Sequence, residues 1–388
     1  MHPFDALIDQ FTSGRISRRG LIKGAAALGV SGVALQALER SHIVFAQPAD
    51  NTIRWVSPRG TVDVLDDYAY HVALKLGYFG DIKTTLEPGP IEATAGTKAV
   101  DTGQSDVAYP SPGVFSLMIE QGSPLVSVFQ CGAYDVFDFA FPKGKAPASV
   151  KDLEGMTVSL GSAGWQGICN PEVAQAGGDP TKVEYVDAGQ TWAQALAQGQ
   201  VDAALSWAGL RAQWAATGLD FDYILGKDWS KFPANSFVIR RSDLEDPALA
   251  DIYTRYLRGW AQGLEFGWYN PVAATQITFE ALPALNEVFE DKQIAVESMW
   301  QLAEVFRGDW ANREGWGWHS DTDWDLFLKT AFDIKQLSKE LTAADVLTND
   351  WIAGVNDFDH DAVRKAAADF ELSEDFASLK QPEGAGSE

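Results

Sequence analysis

The sequence predicts an α/β fold of two sheet-bearing lobes, with helices from the C-terminal part of the chain covering the first. Three features of the 388 residues carry this reading: a strand, loop, helix rhythm from residue 52 to 108, its return from 149 to 207, and a helical pattern beyond residue 241. The length exceeds one ordinary domain, and 46% hydrophobic residues supply two cores.

In "NTIRWVS", Ile53, Trp55 and Ser57 alternate with Thr52, Arg54 and Val56, which predicts a first strand. The turn-rich "SPRGTVDVLDD" leads into "DYAYHVALKLGYF", where Tyr68, Val72, Leu76 and Phe79 fall at helical spacing. Asp66 and Asp67 suit the opening turn, because carboxylates oppose the positive end of a helix. "TTLEPGP" gives a second strand, "GTKAVDTGQ" a short helix and "SDVAY" a third strand. From "PLVSVFQCGAY" through "FDFAFPKG" the chain reads as continuously extended until Pro142 and Gly144. "SVKDLEGMTVSLGSAGWQGICNPEVAQAGG" repeats the scheme and opens the second lobe. "KVEYVDAG" and "VDAALSW" are further strands around the helix "QTWAQALAQGQ", and "NSFVIRRSDL" returns the chain to the first lobe. The expected boundaries are 47–137 with 238–380 for lobe I, 138–237 for lobe II and a disordered tail at 381–388, where "KQPEGAGSE" is low in complexity.

Ahead of the first strand, Arg15, Arg18, Arg19 and Lys23 precede a mild apolar run, and "VFA" ends at Ala46. A bilayer span needs about 20 strongly apolar residues. This run is diluted by Gly24, Gly29, Ser31, Gly32 and Gln36, so a removable export signal over residues 1–46 is the expectation. "SRRGLIK" resembles the twin-arginine signal, which implies export of a folded chain to the periplasm.

Without residues 1–46 the chain keeps 25 basic and 51 acidic residues, a net charge of −26. That balance repels phosphate backbones and anionic lipids, so nucleic acid is excluded as a partner. Cys131 and Cys169 imply no disulfide framework, and His2, His42, His71, His319 and His360 lack metal-ligand spacing. No metal or other cofactor is expected. The tryptophans at 300, 310, 316, 318 and 324 are read as packing groups, and the acidic trios at 321–325 and 357–361 as helix caps.

Several blocks in order resemble the periplasmic solute-binding proteins of ABC importers, in the branch serving nitrate, taurine, alkanesulfonates and thiamine-type pyrimidines. They are "YAYHVALKLGYF", "GTKAVDTGQSDVAY", "SVKDLEGMTVSL", "ALAQGQVDAAL" and "DWDLFLKTAFDIKQLSKELTAADVLTNDWI". The resemblance spans residues 52–356 and implies a type II periplasmic binding fold with mixed central sheets. It also implies closure of two lobes on a small-molecule ligand, docking to ABC permease membrane subunits, and a monomer.

In open α/β sheets a ligand sits beyond the carboxyl ends of the strands. The first such loop holds Arg59, Asp66 and Asp67; Arg59 is its one fork of donors, and the acids alternatively cap a helix. Tyr109 and Ser111 follow the third strand in the proline-stiffened "YPSPG". In "GSAGWQG", Ser162 and Gly164 expose backbone N–H groups at a helix start, and Trp165 is a stacking platform or a packing residue. Trp207 leaves a strand in "SWAGLRAQW" as a second platform, and Tyr134 lies on the crossover between lobes. Two aromatic platforms and few cations favour a heterocycle such as a pyrimidine, with a sulfonate or carboxylate as the alternative. No nucleophile elbow, metal motif or paired catalytic carboxylate is visible, so the expected function is capture of a solute and not catalysis. A ligand-dependent periplasmic sensor or adaptor is the second reading. A thiamine-pyrimidine synthase-like enzyme is the third.

Overall fold

The computed structural model describes residues 51–387 apart from 60 and 90–93. The export-signal reading therefore lies outside the described residues. Residues 51–388 form one compact unit that carries two five-stranded sheets. The first runs β1(Thr52–Ser57)-α1(Tyr68–Leu76)-β2(Lys83–Pro88)-α2(Ala95–Asp101)-β3(Val107–Ala108)-α3(Pro112–Glu120)-β4(Leu125–Gln130). The second follows as β5(Phe137–Pro142)-β6(Thr157–Leu160)-α4(Gln166–Gln175)-β7(Glu184–Asp187)-α5(Trp192–Ala197)-β8(Ala203–Trp207)-α6(Leu210–Ala216)-β9(Phe221–Leu225), and β10(Ser236–Arg240) closes the first sheet.

The strand orders are β2-β1-β3-β10-β4 and β7-β6-β8-β5-β9. They are the same pattern twice. Three parallel strands lead, and one antiparallel strand, β10 or β5, is inserted by the chain as it crosses from the other sheet. The extended run expected from Leu125 to Pro142 is thus two strands in different sheets, joined by residues 131–136. Asp135 in that crossover is buried and accepts the Phe137 N–H at 3.0 Å; burial pushes its carboxyl up to about 7.

Alternation in β1 does what its sequence demands: Ile53, Trp55 and Ser57 point inward. Trp55 packs edge-on against Trp260 at 4.9 Å and Phe237 at 5.6 Å, which joins the sheet to the helical layer. That layer comprises α7(Pro247–Tyr269), α8(Pro271–Ala281), α9(Lys292–Arg307) and α11(His360–Ala368), while α10(Asp321–Asp333) packs on α3 and α4. Trp300, Trp316 and Trp324 are all buried, the last in a separate cluster under α10. Asp359 caps α11, while Ser320 caps α10 and leaves Asp321 and Asp323 in its first turn. Residues 381–387, expected to be disordered, instead pack on this layer: Trp268 donates to the Ser387 carbonyl at 2.8 Å and the Gly386 N–H donates to Trp268 O at 2.9 Å. The partners of this tail lie more than a hundred residues upstream, which its composition does not reveal. Cys131 and Cys169 are both free and buried. No helix among the described residues is long and apolar enough to cross a membrane.

A glycine stripe on α7 sets the position of α1. Gly259, Gly263 and Gly267 recur every fourth residue and face Phe79, Ala69 and Tyr68; a Cβ on Gly263 would stand 2.1 Å from the Ala69 carbonyl oxygen. Exchange of a helical Gly for Ala ordinarily gains about 1 kcal/mol. Here the obstacle is backbone, and overpacking costs about 1–3 kcal/mol. Gly263→Ala is therefore expected to lower the unfolding free energy in urea denaturation; a gain in stability would show that α1 has room to move.

Candidate functional site

The carboxyl ends of the parallel strands meet. The loops after β1, β3, β6 and β8 surround a cleft of ≈ 720 Å³, the solvent at its mouth included, lined among others by Arg59, Asp66, Tyr109, Ser111, Trp165 and Trp207. β1 and β3 belong to one sheet, β6 and β8 to the other, so both lobes contribute.

Within the first loop Arg59 folds back onto the start of α1. Its guanidinium donates to Asp67 and stands 3.5 Å from Asp66. All three groups are buried or nearly so. Burial pulls the Arg59 pKa down, but the carboxylates of Asp67 and Asp66 outweigh it and hold the group above its usual value. Burial raises both aspartates, with Arg59 opposing. Asp67, at the N-cap of α1, makes no side-chain cap bond. Neither capping the helix nor facing the ligand is its main contact; it lies behind Arg59, which it pairs. Asp66 also accepts the Trp207 indole N–H at 3.0 Å, a hydrogen bond from one lobe to the other.

The second wall is aromatic. Trp165 meets Trp207 edge-on at 5.9 Å. Behind both stands Trp192 of α5, buried, stacked on Trp207 at 6.0 Å and 17° and edge-on to Trp165 at 5.6 Å. Trp192 donates its own N–H to the Leu205 carbonyl at 2.9 Å, which fixes the plane on which Trp207 rests. Tyr109 packs on Phe237 at 4.9 Å and shares a hydrogen bond with Cys131; burial pushes the Cys131 thiol up to about 12. Ser111 caps α3 by accepting the Val114 N–H at 3.4 Å.

Other expected residues sit elsewhere. Ser162 and Gly164 flank the cleft without lining it, and the Ala163 N–H at that helix start is taken by Asp187 at 3.1 Å. That N–H belongs to the single turn at residues 163–165 that leads into α4, so one donor of this loop is already taken by a carboxylate of the chain. Tyr134 is 37% exposed on the crossover and is not among the lining residues. Arg211 of α6 is an ion-pair partner of Asp138 at 3.0 Å. Residues that the sequence reading missed include Asn235, Leu302 and Phe306. Asn235 comes from the returning crossover and donates to the Tyr109 carbonyl at 2.9 Å. Leu302 and Phe306 come from α9, so that helix walls the cleft as well as packing on α7 and α8.

Among the described lining residues Arg59 is the one cation and Asp66 the one anion. With either or both acids ionised, the Arg59, Asp66 and Asp67 cluster is neutral or negative.

The family model described as NMT1/THI5 like matches residues 67–274, more than half of the chain. The chain belongs to the NMT1/THI5-like family. Solved structures match at low identity. One is a protein from Bordetella bronchiseptica RB50 (16% identical, TM-score 0.59, 80% of this chain and 98% of that one). Another is the alkanesulfonate-binding protein SsuA from Xanthomonas axonopodis pv. citri bound to MOPS (14%, TM-score 0.59, 78% and 99%). A third is the ligand-binding component of an ABC-type import system from Staphylococcus aureus with zinc bound (11%, TM-score 0.56, 78% and 98%). These likenesses establish the two-lobe periplasmic-binding-protein fold for this member of the family. No curated protein matches its sequence.

Arg59→Met strands two buried carboxylates, and breaking such a pair costs about 3–5 kcal/mol. Urea denaturation is expected to show that loss, with Arg59→Met/Asp67→Asn recovering part of it. Unchanged stability in Arg59→Met would mean that the acids do not depend on the guanidinium.

Proposed function

We propose that the protein is the extracytoplasmic solute-binding component of an ABC importer, which holds a small planar heterocycle between its lobes and delivers it to the membrane permease. Export through the N-terminal segment and action in the periplasm belong to the same reading. The observation that carries it is the cleft itself: two lobes present aromatic walls and an internally paired cation to one shared space.

The ligand class follows from charge. A sulfonate carries a fixed negative charge, and SsuA from X. axonopodis is a sulfonate binder of the same fold. In this cleft such a group would meet Arg59 already matched by two carboxylates. Desolvating an anion against that background is offset by no surplus positive charge. A heterocycle with N–H donors is better served: Asp66 accepts, while Trp165 and Trp207 offer faces and edges for stacking.

Capture is also favoured over catalysis. Ser127, His319 and Asn349 form a relay with the order of a nucleophile, base and orienter, at 2.7 and 2.9 Å. Yet Ser127 and His319 are fully buried. Burial lowers the His319 pKa to about 4, so the ring stays neutral at pH 7. No substrate reaches that hydroxyl; the relay pins the C-terminal segment to β4, where Leu347 bridges Ser127. His71 is likewise buried inside α1 and lowered to about 4 by desolvation, away from the cleft lining.

Native mass spectrometry of the mature protein taken directly from its host is expected to show a retained organic solute. Stacking contributes about 0.5–1.5 kcal/mol beyond area burial. With the area lost as well, Trp165→Ala and Trp207→Ala are each expected to weaken that binding at least about tenfold, which corresponds to 1.4 kcal/mol. Unchanged affinity in both would remove these rings from the site.

A further inference from the structure

Helix α9 touches both lobes in a way that neither its place in the sequence nor its covering role requires. On one side it packs against α7 and α8 of the helical layer. On the other it meets Gly209, the second of the two residues between β8 and α6 of the second lobe. The Gly209 N–H donates to Gln301 Oε1 at 3.1 Å, and its carbonyl accepts the Ser298 hydroxyl at 2.8 Å. Both backbone polar groups of one residue are therefore held by one helix of the other lobe. Gly209 has φ +86°, and a Cβ there would stand 2.7 Å from Leu302 Cδ1. The left-handed conformation and the close approach each require glycine. One turn beyond Gln301, Lys227 pairs with Glu304 at 2.8 Å, and Val305 O accepts the Ala133 and Tyr134 N–H groups of the crossover at 3.1 and 3.0 Å.

Gly209 stands two residues after Trp207, whose indole N–H reaches Asp66. We propose that Ser298 and Gln301 are positioning residues: by gripping Gly209 they seat Trp207 over the cleft and set the angle between the lobes, so that the walls are assembled by the chain itself and not by a ligand. A further bond, from Gln336 Nε2 to the Gly167 carbonyl at 3.0 Å, lies at the start of α4. It supports α4 without touching Trp207. A preassembled cleft lowers the ordering cost of binding, because fewer side chains are immobilised when the solute arrives. The inference concerns the chain alone and does not depend on which solute is bound. Its test is therefore separable from that of the proposed function.

The test is double electron–electron resonance on the full chain, with spin labels on Lys98→Cys and Gln194→Cys, exposed positions carried by α2 of one lobe and α5 of the other. The native thiols are buried and stay unlabelled. The otherwise unaltered protein is expected to give one narrow distance distribution without added solute. Ser298→Ala/Gln301→Ala is expected to add a population at longer distance, while Ser298→Thr and Gln301→Glu, which keep the hydroxyl donor and the carbonyl-type acceptor, return the narrow distribution. If the double alanine variant does not fold, Gly209→Ala takes its place and is expected to broaden the distribution in the same way. A distribution that is already broad without substitution, or one unaltered by the alanine variant or its replacement, overturns the proposal.

Discussion

One buried ion cluster sets the chemistry of the cleft. Arg59 leaves the end of β1, turns back and pairs with Asp67 and Asp66 at the start of α1, and Asp66 in turn holds the indole of Trp207 from the other lobe. A guanidinium in a protein stays protonated, so its charge must be met wherever it is buried. Here the chain meets it twice. The consequence is a cleft that carries a cation and yet offers no surplus positive charge to a solute. Loop shape, lobe contact and ligand class all follow from that single arrangement.

The cluster is held in place by packing that lies far from it. The stripe Gly259, Gly263 and Gly267 lets α7 lie directly on α1, and α1 begins where the two aspartates stand. Trp55, buried between the sheet and Trp260, fixes β1 and with it the origin of the loop that carries Arg59. On the opposite wall, Trp192 supports the ring that Asp66 accepts from. Close packing transmits position across such contacts because the interior has few voids in which a shift can be absorbed. The site is therefore a property of two cores pressed together and not of its loops alone.

Much of this was legible in the sequence. The alternation in "TIRWVS" and the helical spacing from Tyr68 onward are local signals, and local signals locate strand ends and hence the four loops. Arg59, Asp66, Tyr109, Ser111, Trp165 and Trp207 line the cleft because each sits at such an end or in the loop that follows it. What stayed hidden depends on contacts remote in the chain. Asn235, Leu302 and Phe306 arrive from segments whose period says only that they are buried or helical. Nor does a turn-rich loop carry a period from which the folding of Arg59 onto Asp67 is read. The break between β4 and β5 was invisible for a related reason: extended chain has the same pattern whether it continues in one sheet or passes to another.

The central claim is that the cleft has no cation to spare for an anion. Isothermal titration calorimetry of the mature protein at pH 7 and low salt, against alkanesulfonates and aminopyrimidines in parallel, tests it most directly. The account requires heat from the aminopyrimidines with an affinity that changes little as salt is raised, and none from the sulfonates. Tight sulfonate binding that weakens with salt, with the heterocycles silent, would contradict it.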